Sequence, residues 1–245
     1  MKRLVIIGAF VMLTTFTFAQ QADNLIWVMR IEVKMDKKLE WEKKMTTFVK
    51  THYPNLKYRV WEVLTGNSTG KYVIIMGPTS YKALGTPSVS PKGEAAMRAD
   101  GQALDALCNS TTVNHLRIVE GLTNNKPDRK LKYQVATYTE IEMGTWGDVA
   151  DFQERLMAAR KKAGSTADYG ILRPTNSGAG NAYVTIRWVE NLEELDGGGN
   201  FGGISDAYDE IYGNNAWYKD WNNYMGNVKS NQSELRVLRT DLSSL

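Results

Sequence analysis

The sequence predicts an α+β fold in which one βαββαβ unit occurs twice and the two sheets pack against each other. Three observations lead to this prediction. The stretch YRVWEVLTGNSTGKYVIIMG at 58–77 aligns without a gap with YGILRPTNSGAGNAYVTIRW at 169–188, and both have tyrosine at their first and fifteenth positions. The stretch HLRIVEGL in the first half resembles ELRVLRTDL near the end of the second. Patterns typical of strands and helices also follow the same order in both halves, which indicates an internal repeat.

The first unit is predicted over residues 25–122 and opens with LIWVMRIEVK, whose β-branched and aromatic residues favour a strand. Asp36 is a suitable N-cap for a helix, because apolar side chains then recur at helical spacing from Leu39 to Val49. TGNSTG carries turn-forming residues and joins two further strands. The predicted bounds are strand 25–34, a helix after Asp36, strands 58–64 and 71–76, helix 94–107 and strand 114–122.

The second unit is predicted over residues 132–245 and repeats this order. Its first helix, 146–163, places Val149, Phe152 and Leu156 on one side. The other predicted elements are strands 133–142, 169–173 and 182–189, a helical region at 205–224 interrupted at GNN, and strand 234–242. A polar, proline-containing segment at 123–131 separates the units and is predicted to be a linker.

This element order is that of a ferredoxin-like unit, which forms a four-stranded antiparallel sheet with both helices on one face. The other face of the sheet is left bare. Because the strands are rich in Tyr, Trp and Ile, we expect the second sheet to cover the bare face of the first, with the helices outside. Cys108 is the only cysteine, so no disulfide holds the chain, and we expect this side chain to be a buried apolar group.

Residues 1–19 are predicted to be a secretory signal peptide. Lys2 and Arg3 precede a short apolar run, and TFA at 17–19 offers small residues for cleavage. The apolar run is too short to cross a bilayer of about 30 Å, so we expect a periplasmic or secreted protein without a stable membrane anchor. The formal charge of +3 falls close to neutral without Lys2 and Arg3, and this balance argues against nucleic-acid binding.

The element order and the repeated hairpins of the form Y…G…Y-V-x-I resemble the dimeric α/β barrel superfamily in its tandem form. The resemblance covers Leu25 to Asp241 and implies an intramolecular α/β barrel. Relatives include antibiotic-biosynthesis-type monooxygenases, haem-degrading oxygenases, stress-responsive barrel proteins, NIPSNAP-like proteins and haem-binding chlorite dismutases, so the activity stays open. The haem branch implies a histidine ligand in the second unit, but His52 and His115 both lie in the first. We therefore expect no cofactor and no metal site.

The two hairpins predict a candidate site between the sheets, because alternate residues of a strand share a face. The purely apolar Val73, Ile75, Val184 and Ile186 are expected to face the helices. The other face of each hairpin is then expected to point between the sheets, where the first unit is mostly apolar. In the second unit this face carries the candidate ligand-binding residues Tyr169, Arg173, Tyr183, Thr185 and Arg187.

Arg173 and Arg187 would need partners in an enclosed space, because an unpaired buried charge is costly. One interpretation is structural pairing with Glu140 or Glu142 on the adjacent strand, or with Glu62 of the other sheet. The other interpretation is an anion or carboxylate held by both arginines among the tyrosines. The presence of both arginines in one copy alone supports the ligand interpretation.

Two further stretches of the second unit bear on function. LDGGGNFGG at 195–203 contains G-x-G-x-x-G but follows no suitable strand, so it is predicted to be a loop that could cover the space between the sheets. YDEIYGNNAWYKDWNNYMG at 208–226 carries six aromatic side chains, which either pack in the core or form a surface for sugar rings.

The sequence therefore predicts an exported protein that binds a small aromatic or anionic molecule between the sheets. Two other functions stay open, and whether the chain is an enzyme is open with them. The first is a cofactor-independent oxygenase, in which side chains only orient a reactive substrate. The second is a glycan-contacting or structural surface protein that uses the aromatic residues at 208–224. Because each repeat already provides a partner for the other, we expect a monomer or a weak homodimer.

Overall fold

The strands and helices follow the predicted order in both halves. The computed structural model describes residues 24–84, 90, 92–124, 131–175, 181–196 and 201–244. The first half contains β1 (Leu25–Val33), a 3-10 turn (Met35–Lys37), α1 (Lys38–His52), β2 (Arg59–Val63), β3 (Tyr72–Thr79), α2 (Tyr81–Leu84), α3 (Glu94–Asp105) and β4 (Cys108–Ile118). The second half contains β5 (Tyr133–Ile141), α4 (Trp146–Lys162), β6 (Asp168–Pro174), β7 (Ala182–Val189), α5 (Glu193–Asp196), α6 (Phe201–Tyr212), α7 (Ala216–Gly226) and β8 (Val228–Leu238).

The eight strands of the described chain form one closed barrel in the order β1-β3-β2-β8-β5-β7-β6-β4. Each half contributes four neighbouring antiparallel strands, which is the sheet predicted for a ferredoxin-like unit. The two sheets meet at two seams, where β2 pairs with β8 and β4 pairs with β6. The predicted fold, two tandem units combined in an intramolecular α/β barrel, is therefore confirmed.

The last strand of each unit begins earlier than predicted. The sequence predicted strands from 114 and 234, whereas β4 starts at Cys108 and β8 at Val228. Their first halves are polar and mostly exposed, so no apolar pattern marks them in the sequence. They are strands because their backbones pair with almost the full length of β1 and β5. The interruption predicted at GNN is confirmed, because α6 ends at Tyr212 and α7 begins at Ala216.

The prediction of which strand face points into the barrel is wrong. The sequence placed Val73, Val184 and Ile186 on the helix side. In the structure they pack with Trp61 and Leu172 in an apolar cluster that draws on both halves. A cluster shared by the two sheets lies between them, so these side chains fill the barrel interior.

The tyrosine-bearing faces of the hairpins pack under the helices instead. Tyr72 stacks on Trp41 of α1 with ring centroids 4.8 Å apart, and its hydroxyl donates to Glu42 Oε1 at 2.5 Å. Tyr183 lies in the cluster built on α4, and its hydroxyl is 2.5 Å from that of Tyr224 on α7. The predicted alternation of strand faces is correct, but each face points to the side opposite to the one predicted. A buried tyrosine needs a partner for its hydroxyl, and here the helices provide it.

A charged network crosses the barrel interior and joins the two halves. Arg30 on β1 donates to both oxygens of Glu234 on β8, at 2.5 and 3.2 Å. Arg236 donates to Glu234 at 2.8 Å and to Gln134 Oε1 at 2.8 Å. Both arginines also donate to the Tyr138 hydroxyl. Every terminal guanidinium nitrogen of the two arginines thus has a partner within the chain, and side chains fill this part of the interior.

Several predicted segments lie outside the described residues and stay predictions. These are the signal peptide at 1–19, most of the linker at 123–131 and the glycine-rich stretch at 197–200. The domain bounds that depend on them also stay predictions. Within the described ranges, no helix is long and apolar enough to cross a membrane.

Candidate functional site

The two seams of the barrel are equivalent in the two repeats and can be compared residue by residue. At the β4–β6 seam, Arg117 lies opposite Arg173. At the β2–β8 seam, the equivalent pair is Val237 opposite Glu62. The hairpin alignment matches Glu62 with Arg173. Arg117 pairs with Leu25 at the start of β1, and Val237 pairs with Tyr133 at the start of β5, so Arg117 and Val237 are equivalent.

The β2–β8 seam satisfies its charges within the chain. Arg239, just after β8, donates to Glu42 Oε1 at 2.7 Å and to Glu62 Oε2 at 2.9 Å. Its second amino group donates to Asp241 Oδ2 at 2.8 Å. Lys38 reaches the other oxygen of Glu62 at 2.8 Å. Hydrogen bonds to Asp241 and Glu42 raise the pKa of Arg239 above its ordinary value, as expected for a paired cation.

At the β4–β6 seam, the two arginines lack a carboxylate partner among the described residues. Neither Arg117 nor Arg173 contacts a carboxylate in the part of the chain that the structure describes. The Nε atom of each is buried and has no hydrogen-bond partner there. The Arg173 guanidinium lies over the Trp146 ring, 3.9 Å from its centroid. This cation–π contact replaces only part of the water that the arginine has lost.

The pKa values of the two seam arginines shift in opposite directions. Desolvation lowers the pKa of Arg173 below its ordinary value, whereas ion pairing raises the pKa of Arg239. An arginine stays protonated at neutral pH. The β4–β6 seam therefore holds two adjacent positive charges without an anion among the described residues.

A cleft of about 460 Å³ opens at the β4–β6 seam. Arg117 and Arg173 line it, and Tyr81 and Trp146 provide aromatic walls. Tyr81 comes from α2 of the first half, and its hydroxyl lies 2.6 Å from the Thr175 hydroxyl of the second. The two halves of the chain thus build the cleft together, and it combines two cations with an aromatic and apolar surface.

Of the five predicted site residues, Arg173 alone lines this cleft. Tyr183 lies behind it, because its ring contacts the edge of the Trp146 ring at a centroid distance of 5.9 Å. These two predicted residues therefore both contact Trp146, the first residue of α4.

The other three predicted residues lie elsewhere. Tyr169 packs under Arg160, whose guanidinium is 4.2 Å from the ring centroid. Arg187 donates to the Glu194 backbone oxygen at 2.5 Å. Thr185 is paired between β5 and β6 with its side chain on the outward face of β7. The predicted position between the sheets is therefore wrong for this set, whereas a role in binding stays a prediction.

The three carboxylates that were predicted to pair with Arg173 and Arg187 contact other groups. Glu62 accepts from Arg239 and Lys38 in the β2–β8 seam. Glu142 pairs with Lys229 at 3.2 Å. Glu140 accepts a hydrogen bond from the Ser230 hydroxyl at 3.4 Å.

Arg117 was not predicted as a site residue, because the similarity between the last strands of the two repeats indicates the wrong register. The similarity of HLRIVEGL and ELRVLRTDL aligns Arg117 with Arg236. In the structure the equivalence is shifted by one residue, and Leu116 matches Arg236. A shift of one residue moves a side chain to the other face of a strand. Arg236 therefore points into the barrel, whereas Arg117 points outward into the seam.

The histidines do not suit a haem or metal site. His52 is buried with Nδ1 2.6 Å from Ser90 Oγ and Nε2 2.8 Å from Asp100 Oδ2. His115 packs edge-on against Tyr81. The second half, which has no histidine, offers no imidazole to a haem iron. Among the described residues, no three His, Cys, Asp or Glu side chains converge as metal ligands.

The aromatic residues at 208–224 divide between core and surface. Tyr208 and Tyr224 are buried in the core of the second half. Tyr218 is 69% exposed and Trp221 is 37% exposed. Trp217 stacks on Trp221 with ring centroids 5.5 Å apart. The core interpretation therefore holds for the buried tyrosines, and an exposed aromatic surface remains on α7.

No protein-family model and no curated protein matches the chain. Solved structures match over most of its length. A "putative monooxygenase" from Fusobacterium nucleatum subsp. nucleatum has a TM-score of 0.55 and 11% identity, with 88% of this chain and 92% of that chain covered. A "putative monooxygenase" from Lactobacillus acidophilus has a TM-score of 0.52 and 11% identity, with 89% and 95% covered.

A mutant chlorite dismutase from Candidatus Nitrospira defluvii is also similar, with a TM-score of 0.53 and 8% identity over 87% of this chain and 91% of that chain. At such low identities the likeness shows the fold alone. These structural neighbours are proteins of the dimeric α/β barrel type, and this chain builds the same barrel from two tandem ferredoxin-like halves.

Proposed function

We propose that this protein binds a small organic anion, a carboxylate attached to an aromatic or apolar group, in the cleft at the β4–β6 seam. The observation that carries the proposal is the pair Arg117 and Arg173, each with a buried Nε that lacks a partner in the described chain. A bound carboxylate would accept hydrogen bonds from both guanidinium groups and offset the cost of burying them. The proposal moves the predicted anion site from the barrel interior to the outer face of the sheet.

The walls of the cleft favour a ligand with an apolar part. Ile118, Val119 and Pro174 line it beside the two aromatic rings. An inorganic anion would leave this surface in contact with water, whereas an aromatic carboxylate would bury it. The cleft volume of about 460 Å³ suits a small molecule, since ligand pockets range from about 300 to 1,000 Å³.

We also propose that the protein works in the periplasm or outside the cell, because residues 1–19 have the pattern of a signal peptide. The mass of the protein recovered from the periplasm or the medium of expressing cells tests this proposal. A mature chain that begins at Gln20 is expected, and an uncleaved chain in the cytoplasm would contradict it.

Isothermal titration calorimetry with sodium benzoate tests the binding proposal. Arg117→Gln and Arg173→Gln keep a polar side chain but remove the charge. Each is expected to weaken binding about tenfold or more, because a hydrogen bond to a charged group contributes about 1.5–3 kcal/mol. Arg59→Gln is the matched control, since Arg59 is an exposed arginine on β2. Benzoate that binds no better than acetate and chloride, or equally well to Arg173→Gln, would contradict the proposal.

Oxygenation of a bound aromatic molecule is a second candidate function. The fold is similar to that of two proteins named as monooxygenases and of one named as anthrone oxidase-like. A reaction without a cofactor needs a substrate that itself reduces O₂, and anthrone does so by forming anthraquinone and water. An oxygen electrode with anthrone as substrate tests this candidate. Oxygen uptake that is absent, or as fast with Arg173→Gln as with the natural chain, would contradict oxygenation in this cleft.

A further inference from the structure

The helix α7 has no counterpart in the first unit. In the first half, α3 ends at Asp105 and β4 begins at Cys108. In the second half, α6 packs on α4 as α3 packs on α1, and α7 (Ala216–Gly226) is then inserted before β8. The first unit completes its half of the barrel without such a helix. The barrel therefore does not need α7 for its formation, which suggests that this helix has another role.

One face of α7 packs against α4. Residues of the two helices line an open cleft of about 440 Å³, and its floor is aromatic. Phe152 and Tyr224 line this cleft and stack with ring centroids 4.7 Å apart. Trp221 packs against both rings, at 6.0 Å and 5.6 Å. Trp221 does not itself line the cleft, but it is 37% exposed and so offers a solvent-facing aromatic surface next to the two floor rings.

Polar side chains line the rest of the cleft. Arg155 Nη1 and Asp220 Oδ2 form an ion pair at 2.8 Å near its centre, and the Tyr208 hydroxyl donates to the same oxygen at 2.8 Å. These contacts hold the central pair in place. Four further side chains have no polar partner among the described residues: Asp148, Asp151, Asn223 and Asn227.

A sugar ring suits this combination of groups. Its C–H face packs on an aromatic plane, while the hydroxyls around its edge both donate and accept hydrogen bonds. Carboxylates such as Asp148 and Asp151 only accept, whereas the amides of Asn223 and Asn227 do both. Three carboxylates and one arginine give the cleft a negative charge, which disfavours uronic or sulfated sugars.

We propose that the α4–α7 cleft binds a neutral carbohydrate, with a sugar ring stacked on the Trp221 side and its hydroxyls bonded to the carboxylates and amides. The site lies in the helical layer and is separate from the arginine cleft at the β4–β6 seam. Among the described residues, the two clefts have no lining residue in common. The inserted helix α7 then adds a recognition surface to the second repeat.

Saturation-transfer difference NMR on the full mature chain tests this proposal. The probes are neutral tetrasaccharides of glucose, xylose, mannose and N-acetylglucosamine. We expect saturation of sugar C–H protons for at least one of them. Trp221→Ala and Asp151→Asn should lose most of this signal. Tyr218→Ala is the matched control on the same helix, because Tyr218 is 69% exposed and, unlike Trp221, packs on neither of the described floor rings Phe152 and Tyr224.

Binding of benzoate by Trp221→Ala shows that the variant is folded and keeps the two proposals separable. No signal with any tetrasaccharide would overturn the carbohydrate proposal. A signal that survives in Trp221→Ala but disappears in Tyr218→Ala would overturn the assignment to this cleft. Putrescine provides the last comparison. If this diamine binds and the sugars do not, the cleft is a cation site and the proposal is wrong.

Discussion

The two seams of the barrel place the same kind of residue in opposite circumstances. At the β2–β8 seam, Arg239 lies among three carboxylates, two of which are Glu42 and Glu62. At the β4–β6 seam, the position of Glu62 is taken by Arg173, which lies opposite Arg117. One seam is therefore closed by its own ion pairs, and the other is open, with two cations that contact no carboxylate of the described residues. A buried charge that is paired in one repeat, and lacks a partner among the described residues of the other, thus marks a place for an external partner.

In the barrel interior, as at the β2–β8 seam, the arginines are paired with a carboxylate of the chain. Arg30 and Arg236 share Glu234 and the Tyr138 hydroxyl, so they need no ligand. Hydrogen bonds from both arginines outweigh the effect of burial and keep the pKa of Glu234 below its ordinary value. A pair of buried arginines is thus informative only when its partners are known.

The largest effect on stability is expected in the interior. Glu234→Gln removes the carboxylate that Arg30 and Arg236 share, and the Glu234 side chain is only 7% exposed. Breaking a buried ion pair by removing one partner costs about 3–5 kcal/mol. Urea unfolding followed by tryptophan fluorescence checks this loss. A free energy of unfolding within about 1 kcal/mol of that of the natural chain would show that the network is not structural.

The next effect separates the two seams directly. Arg239→Met removes the arginine that Glu42 and Glu62 share and leaves them with Tyr72 and Lys38. This loss is expected to cost about 2–3 kcal/mol, since the site is partly open to water. Arg173→Met removes an unpaired, desolvated charge and should change stability by less than about 1 kcal/mol or increase it. Thermal and urea unfolding in buffer without organic anions compare the two variants. Equal destabilisation by both would remove the distinction between the seams.

The paired seam should contribute to the pH dependence of stability, in addition to Glu234 in the barrel interior. Burial alone would raise the pKa of Glu42, but hydrogen bonds from Arg239 and Tyr72 outweigh it and leave the pKa below its ordinary value. A carboxyl group with a lowered pKa in the folded state stabilises the protein above its ordinary pKa. That contribution is lost as the pH falls from about 5 through the lowered pKa. The free energy of unfolding measured from pH 7 to pH 3 should fall less steeply for Arg239→Met.

The smallest effect on stability is expected when the glutamate of the β2–β8 seam is introduced at the equivalent position of the β4–β6 seam. Arg173→Glu places a carboxylate opposite Arg117, as Glu62 stands at the equivalent position beside Arg239. A new, partly exposed ion pair is expected to add up to about 1 kcal/mol of stability. Benzoate binding should be lost, because the site then contains its own carboxylate. A variant that is both less stable and still binds benzoate would show that the two seams are not equivalent.

The fold could be predicted from the sequence because the repeat carries it. The matching tyrosines Tyr72 and Tyr183 located both hairpins, and their alternation gave the correct strand period. The phase could not be predicted, because apolar residues such as Val73 suit the barrel interior and the helix side equally well. Only the hydroxyl partners of the tyrosines, Glu42 and Tyr224, decide between the two.

The candidate site was predicted in part for a related reason. Arg173 was recognised as a charge that needs an anion, but its neighbours Arg117, Trp146 and Tyr81 come from distant parts of the chain. Their meeting depends on the pairing of β4 with β6, which joins the two repeats. No local pattern specifies that register, and the similarity of the two final strands indicated one that is shifted by one residue.

The most direct test of the central claim observes the arginine Nε–H groups themselves. ¹⁵N–¹H spectra of arginine side chains are recorded during a benzoate titration, with signals assigned from Arg117→Gln, Arg173→Gln and Arg239→Met. The Nε–H signals of Arg117 and Arg173 are expected to shift as they gain a carboxylate acceptor, while that of Arg239 stays fixed. If the seam signals stay in place, or if all three shift together, the β4–β6 seam is not an anion site.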